Sequence, residues 1–496
     1  MPKNTPKTPL NYARANGYEK LSPAEAKKLE AVCADYLVFL GQAKTERKAH
    51  DEAVELLEAA GFQDLDGLIR GGGALKAGDK VYRSCAGKTL LAAVLGRQPL
   101  EKGLHIVGGH TDSPRLDVKQ NPLYESGEMA LLDTHYYGGI RKYQWVAMPL
   151  ALHGVFVKPD GKKIVVEVGE EPGDPVFCIT DLLPHLSADH NKKSLAESHE
   201  GENLDVLVGS VPSRDKKAKE KIKQRVLELL HERYGVVEED FLSAELEFVP
   251  AGKPREAGID RSLIIGYGQD DRVCAYTALR ALLDLPGTGR KEIRPAGPGG
   301  TSDTAGTPEF TACVLLCDKE EIGSVGATGM HANFFENTVA EMLALCGGPY
   351  SELVLKRALE SSWMLSADVN ALFDPLFAGV SEKKNAALLN QGTCLTKYTG
   401  SRGKSGASDA SAEFIAQIRR IFARAGVVWQ AAELGKVDQG GGGTIAYLMA
   451  RYGMSVVDCG VALLSMHAPW EVSGKFDVYM TYKGFLAFLK DSRGAR

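Results

Sequence analysis

The sequence predicts an α/β fold: a mixed, mostly parallel sheet flanked by helices and split by a β-rich insertion. Three observations carry that expectation. Short apolar runs (GLHIVGGH, SLIIGYG, FTACVLLC, SSWMLSAD and MSVVDCG) recur along the chain with amphipathic stretches between them. Such alternation marks buried, mostly parallel strands covered by helices. Between residues 118 and 258 the pattern changes to period-two segments such as VAMPLALHGVFVKPDGKKIVVEVGE, with a turn at Pro159-Asp160-Gly161. Finally, 496 residues exceed one ordinary core, since roughly 150 residues make a domain.

Taken in order, residues 22–60 read as two helices, with charged and apolar side chains at helical spacing. Ser22 caps the first helix with Pro23 at its first position, and Gly61 stops the second. The insertion closes on a charged helix, SRDKKAKEKIKQRVLELLHERYG. Asp215 and Glu220 interrupt its basic run and apolar residues recur on one face, so it reads as a solvated helix surface, not a nucleic-acid patch. Residues 286–308, rich in Gly, Pro, Ser and Thr, read as a mobile surface link. The expected division is one discontinuous domain, 1–117 plus 259–496, around an inserted domain, 118–258.

Composition narrows the class. With 44% hydrophobic and 25% charged residues, the chain is an ordinary globular protein, not a disordered scaffold, a fibre or a disulfide miniprotein. A net charge of −5, from 59 basic and 64 acidic residues, gives no general attraction to nucleic acid or anionic membrane. Nine cysteines without a CxxC pair argue for a reducing setting and against a disulfide framework. The polar start MPKNTPKTPLNYARANGYEK has no apolar core of a signal peptide, and no run approaches the roughly 18 apolar residues that span a bilayer. A soluble, cytoplasmic protein is expected.

Five predicted strands lead into a metal-competent or acidic residue: His110 in HTDSP, Asp270 in GQDDR, Asp318, Glu320 and Glu321 in CDKEEIG, Asp368 after SSWMLSA, and His467 in the segment after MSVVDCG. In open α/β sheets the loops at the carboxyl ends of strands converge on one crevice. Singly, each has a plainer reading: a loop or core histidine, a solvated Glu-Glu pair, a helix N-cap at Asp270 or Asp271. Together, imidazole and carboxylate donors suit zinc, manganese or cobalt. Five ligands exceed one open catalytic zinc but suit two ions bridged by a carboxylate, which activate a water and polarise a carbonyl at once. Glu320 and Glu321 then divide into one ligand and one general base. Asp112, two residues after His110, is placed to accept the other imidazole N–H and fix the ring.

HTDSPRLDVK, GQDDR, DKEEIGS, SADVNALFDP, DQGGGGTIA and SMHAPWE resemble, in order and spacing, the dinuclear zinc aminopeptidases that include aspartyl aminopeptidase and vacuolar aminopeptidase I. The likeness covers nearly the whole chain and is strongest to the bacterial branch. It implies a zinc-peptidase fold, with zinc (or cobalt or manganese) in two sites. His110, Asp270 and Asp368 would hold one ion; Asp270, as the bridge, would hold the other with Glu321 and His467. Glu320 would be the general base, and Asp112 would orient His110. The resemblance also implies that the insertion dimerises and that dimers build a tetrahedral dodecamer. His185, in LLPHLSADH, would reach a neighbouring subunit's site and support the tetrahedral intermediate. Lys397, in GTCLTKYTG, matches a lysine at the substrate pocket, and Gly442, in the glycine run, would let a bound peptide approach. In aspartyl aminopeptidases a His precedes the Pro of the FDP segment; here it is Asp374, whose charge disfavours an acidic substrate residue.

The implied activity is removal of N-terminal amino acids from peptides. Two alternatives stay open at this stage. One is a two-metal amide hydrolase acting on small N-acyl or carboxyl-terminal substrates. The other is a non-catalytic assembly protein of the same fold, although all six expected metal and base positions are filled.

Overall fold

The computed structural model describes residues 10–11, 14–288 and 306–493; most of the 286–308 link therefore lies outside the described residues. The expected mixed α/β fold is present. A nine-stranded sheet runs, from one edge, Gln63–Asp64, Lys80–Cys85, Thr89–Val94, Thr311–Cys317, Leu104–His110, Trp363–Ser366, Ser455–Gly460, Thr393–Thr396, Trp429–Ala431. Its four central strands, from Thr311–Cys317 to Ser455–Gly460, are mutually parallel. Antiparallel neighbours flank them.

Successive residues of a strand face opposite sides, and both sides are covered. Val107, Leu365 and Val457 pack into one core with helices Pro23–Gln42, Gln269–Leu283, Ala412–Ala425 and Lys475–Leu489. Ile106, Met364 and Val456 pack into another with helices Phe334–Leu345 and Glu352–Glu360. Two buried faces explain why these strands read as unbroken apolar runs. At the amino-terminal end, the Ser22 hydroxyl accepts the Glu25 N–H and Pro23 opens the helix. Gly61, at φ +81°, follows the second helix, Glu46–Ala59.

The strands between 115 and 250 form a separate six-stranded antiparallel sheet: Lys163–Val168, Leu150–Val157, Ala244–Pro250, Arg115–Ser126, Met129–Tyr137 and Val206–Gly209. It has its own core around Trp145, Phe156 and Phe248. The turn expected at Pro159-Asp160-Gly161 joins its first two strands. The charged helix is shorter than expected, Lys221–Tyr234, ended by Gly235 in the left-handed conformation. The basic residues 214–219 precede it in turns, because Ser213 and Asp215 side chains accept local backbone N–H groups there and compete with the helix.

A third sheet corrects the expected topology. The SLIIGYG strand, Leu263–Gly266, lies in a five-stranded sheet with Arg255–Ala257, Glu471–Gly474, Ala462–Leu464 and Asn370–Ala371. Its partners on both sides are antiparallel. The loop Ser465–Trp470, which carries His467, joins two strands of this same sheet. The strand MSVVDCG does belong to the large sheet, but the side chain it brings to the cleft is Asp458. Among the described residues, no helix is long and apolar enough to cross a membrane.

Glycine lets the layers close up where the sheets meet. A Cβ on Gly460 would lie 2.1 Å from the Asp368 carbonyl oxygen and 2.8 Å from Cys274 Sγ. Gly460→Ala is therefore expected to cost about 1–3 kcal/mol through overpacking; a lowered melting temperature checks it.

Candidate active site

The parallel strands end together. Cys317 is in register with His110, and Ser366 with Gly108, so His110, the 318–321 turn and Asp368 emerge side by side. Asp270 arrives from the small sheet, at the start of the helix Gln269–Leu283. His467 comes from the Ser465–Trp470 loop, at φ +64°, and Lys319, just before the Glu-Glu pair, is at φ +68°. Non-glycine residues held in this region tend to cluster at functional sites.

Asp270 joins the two imidazoles. Its Oδ1 is 3.3 Å from His110 Nε2 and its Oδ2 is 3.2 Å from His467 Nε2. Glu321 Oε1 lies 3.5 Å from the same His467 nitrogen. The second ring nitrogen of each histidine is occupied: His110 Nδ1 faces the Asp112 carbonyl at 2.9 Å and its Oδ1 at 3.3 Å, and His467 Nδ1 faces the Gly139 carbonyl at 2.8 Å. Both Nε2 atoms are thereby turned into one cavity of about 470 Å³, whose wall includes His110, Asp270, Glu320, Glu321, Asp368 and His467. Ligand-type atoms of His110, Asp270 and Glu321 lie within 4.8 Å of one another, as do those of His110, Asp271 and Asp368. Asp271 is no part of the cavity wall, and its Oδ2 accepts the His110 N–H.

Three buried carboxylates hold the loops by their backbones. Asp112 accepts the N–H groups of Glu320 and Glu321, each at 3.1 Å, and the Tyr137 hydroxyl at 2.8 Å. Glu471 accepts the N–H of Asp270 at 3.1 Å and of His467 at 2.7 Å. Asp271 is the third, at the N–H of His110. Sequence reasoning missed Glu471, although it ends the SMHAPWE motif, four residues after His467. It also missed Tyr137 and Gly139, for which the sequence carries no signal.

The charges are strongly coupled. Burial opposes the ionised form of Asp270, yet the hydrogen bonds from both imidazoles hold it below the usual carboxylate range. Burial alone would depress His467, but Asp270 and Glu321 raise it to about 10. Burial, with Asp112 and Asp270 alongside, lifts Glu320 to about 7 against the pull of His110. Burial likewise lifts Glu321 and Asp368, aided by Asp270 and Glu320 respectively. Glu321 Oε1 and Asp271 Oδ1 have no hydrogen-bond partner. Carboxylates crowded around two aligned imidazoles, raising one another's pKa and leaving oxygens unpaired, fit divalent cations in both donor type and charge.

The remaining expected substrate residues separate. Gly442 lines the cavity. Lys397 is exposed in the bend just past the strand Thr393–Thr396, and it is Thr396 that enters the wall. Asp374 is not in the wall; its side chain caps the short helix Pro375–Val380 by accepting the Leu376 N–H at 2.8 Å. His185 sits exposed in the turn Pro184–Leu186, away from this chain's own cavity.

Comparison with known proteins agrees with the architecture. The family model described as aminopeptidase I zinc metalloprotease (M18) matches residues 39–489. A protein of Clostridium acetobutylicum, "Probable M18 family aminopeptidase 1", is 50% identical over 476 residues, covering 96% of this chain and 98% of its own. The crystal structure of an M18 aminopeptidase from Thermotoga maritima superposes with a TM-score of 0.88 at 43% identity, covering 97% of this chain and all (100%) of that one. A yeast aminopeptidase described as a dodecamer shares the fold, with a TM-score of 0.73 at 22% identity over 94% of this chain and 98% of its own.

Glu471→Ala is expected to weaken metal binding about 10–100-fold, the usual effect of removing a group that orients ligands, with Glu471→Gln intermediate because one acceptor oxygen remains. Competition against a chelator measures both.

Proposed function

The chain belongs to the M18 family of zinc aminopeptidases, and from that premise we propose that it removes N-terminal amino acids from peptides using two divalent ions. Zinc is the first choice, with cobalt or manganese as substitutes. His110 and Asp368 would hold one ion, Glu321 and His467 the other, with Asp270 between them. The observation that carries this assignment is the Asp270 carboxylate facing both histidines, 3.3 and 3.2 Å away.

Bound there, the ions would polarise the scissile carbonyl and acidify the attacking water. Glu320 would take the proton from that water and deliver it to the leaving amine; it lines the cavity beside the ligand cluster without belonging to it. Asp112, fixed by two backbone N–H groups, keeps Glu320 and Glu321 apart in role and holds His110 in one orientation. The glycine run at Gly442 brings backbone close to a bound peptide. For substrate contact Thr396 replaces Lys397 and Asp374, which lie outside the wall.

Residues 118–258 are proposed as the inserted dimerisation domain of a discontinuous catalytic domain, with dimers building a dodecamer, the assembly described for the yeast relative. Exposed Leu182, Leu183 and Leu186 beside His185 support an interface at that turn. His185 would then serve a neighbouring subunit's site. The nine free cysteines accord with a cytoplasmic setting.

Glu320→Gln should keep its metal while turnover falls about 10²–10⁴-fold, the usual worth of general-base catalysis; undiminished turnover refutes the assignment. Asp270→Ala should lose both ions, as read by elemental analysis. Aminoacyl-naphthylamides should be cleaved only with a free amine; hydrolysis of the N-acetylated forms would move the protein to the amide hydrolases.

A further inference from the structure

Asp458 is a carboxylate that neither the metal ligands nor the base accounts for. It lies on the strand Ser455–Gly460, paired with Ser366 on one side and Thr396 on the other. It is 3% exposed, neither oxygen makes a hydrogen bond, and it lines the same cavity as the histidines. Its atoms belong to neither group of clustered ligand atoms. The Ser366 and Thr444 hydroxyls lie close by without hydrogen-bond geometry, and burial pushes the Asp458 carboxyl up to about 6 against their pull. Among the described residues, no lysine or arginine lines this cavity. The fold thus buries an acid in the cavity wall with no lysine or arginine beside it.

Resting on the aminopeptidase reading above, we propose that Asp458 is the specificity determinant of the pocket for the substrate's N-terminal side chain, and that the enzyme selects lysine or arginine there. With the scissile carbonyl at the Asp270 cluster, that side chain is free to turn toward the wall made by Asn370, Thr396, Thr444, Asp458 and Met466. An ammonium or guanidinium group arriving there gives the buried acid the partner it lacks. A leucine leaves it unpaired, and a glutamate adds like charge to an already acidic cavity. Sites that discriminate strongly do so because the wrong substrate strands a buried polar group. The acidic residue that shapes specificity is therefore Asp458, on a central strand, and not Asp374.

The test uses the full-length, metal-loaded protein and aminoacyl-coumarin substrates bearing Lys, Arg, Leu or Glu. Lys and Arg are expected to exceed Leu at least 10-fold in kcat/KM, and Glu at least 100-fold. In Asp458→Asn, which keeps the shape and removes the charge, the Lys-to-Leu ratio should fall at least 10-fold; metal content and melting temperature report whether that variant is folded. A second measurement needs no variant: free lysine should inhibit the wild-type enzyme at least 10-fold more tightly than norleucine, which has the same chain length without the ammonium group. A wild-type enzyme that cleaves Leu or Glu as well as Lys, or inhibition by lysine and norleucine alike, overturns the proposal and leaves the aminopeptidase reading intact. An unchanged ratio in folded Asp458→Asn overturns the assignment to this residue. No turnover of any free-amine substrate overturns both readings.

Discussion

Asp270 is the constraint on which the rest of the molecule depends. One carboxylate meets two imidazoles, one at each oxygen, and each imidazole comes from a different sheet. To put it there, the helix Gln269–Leu283 must begin where the nine-stranded and five-stranded sheets touch. That helix is buried along nearly its whole length, so its position is fixed by packing and not by the charges at its tip. Gly109 helps to make the close approach: a Cβ there would stand 2.6 Å from Asp271 Oδ2 and 2.9 Å from the Ala367 carbonyl.

Around Asp270 the chain uses buried acids as clamps on the main chain. Asp112 and Glu471 each take two N–H groups, and Asp271 takes one. Loops are ordinarily the mobile parts of a fold; these are tied down at the residues that must hold still. The arrangement also explains why so many acids gather at one place. Some of them orient side chains, and only the remainder face the cavity. Sites that must hold geometry to within a fraction of an ångström need this outer support as much as the groups that do the chemistry.

Much of this was legible in the chain. The apolar strands Leu104–His110, Thr311–Cys317 and Trp363–Ser366 announced themselves because both faces are buried, and the residues just beyond them fell at one sheet edge as the topology of parallel strands requires. The placement of Asp270 and His467 was legible only as motif, since the strands before them are short and their pairing with a small antiparallel sheet leaves no periodic trace. Lys397 lies one position past the end of its strand, where Thr396 is the residue that reaches the wall. Asp374 resembled a pocket residue by position in a motif, but an Asp before Pro is also a good cap, and capping is what it does. Glu471 and Asp271 act through burial and backbone contact, and Asp458 is distinguished by burial in the cavity wall, properties that residue identity alone does not carry.

The strand Met129–Tyr137 and the residues after it belong to the second, antiparallel sheet and its surroundings, yet the Tyr137 hydroxyl rests on Asp112 and the Gly139 carbonyl on His467. Arg115 stacks 3.9 Å from the centre of the Tyr137 ring and also pairs with Glu46 at 3.2 Å, knitting that strand to the amino-terminal helices. There is consequently no seam along which the chain could be trimmed to a minimal hydrolase. Excising the middle segment to obtain a small monomer would take away two of the struts that aim the catalytic groups, so architecture and chemistry in this protein have to be inherited, or redesigned, as one piece.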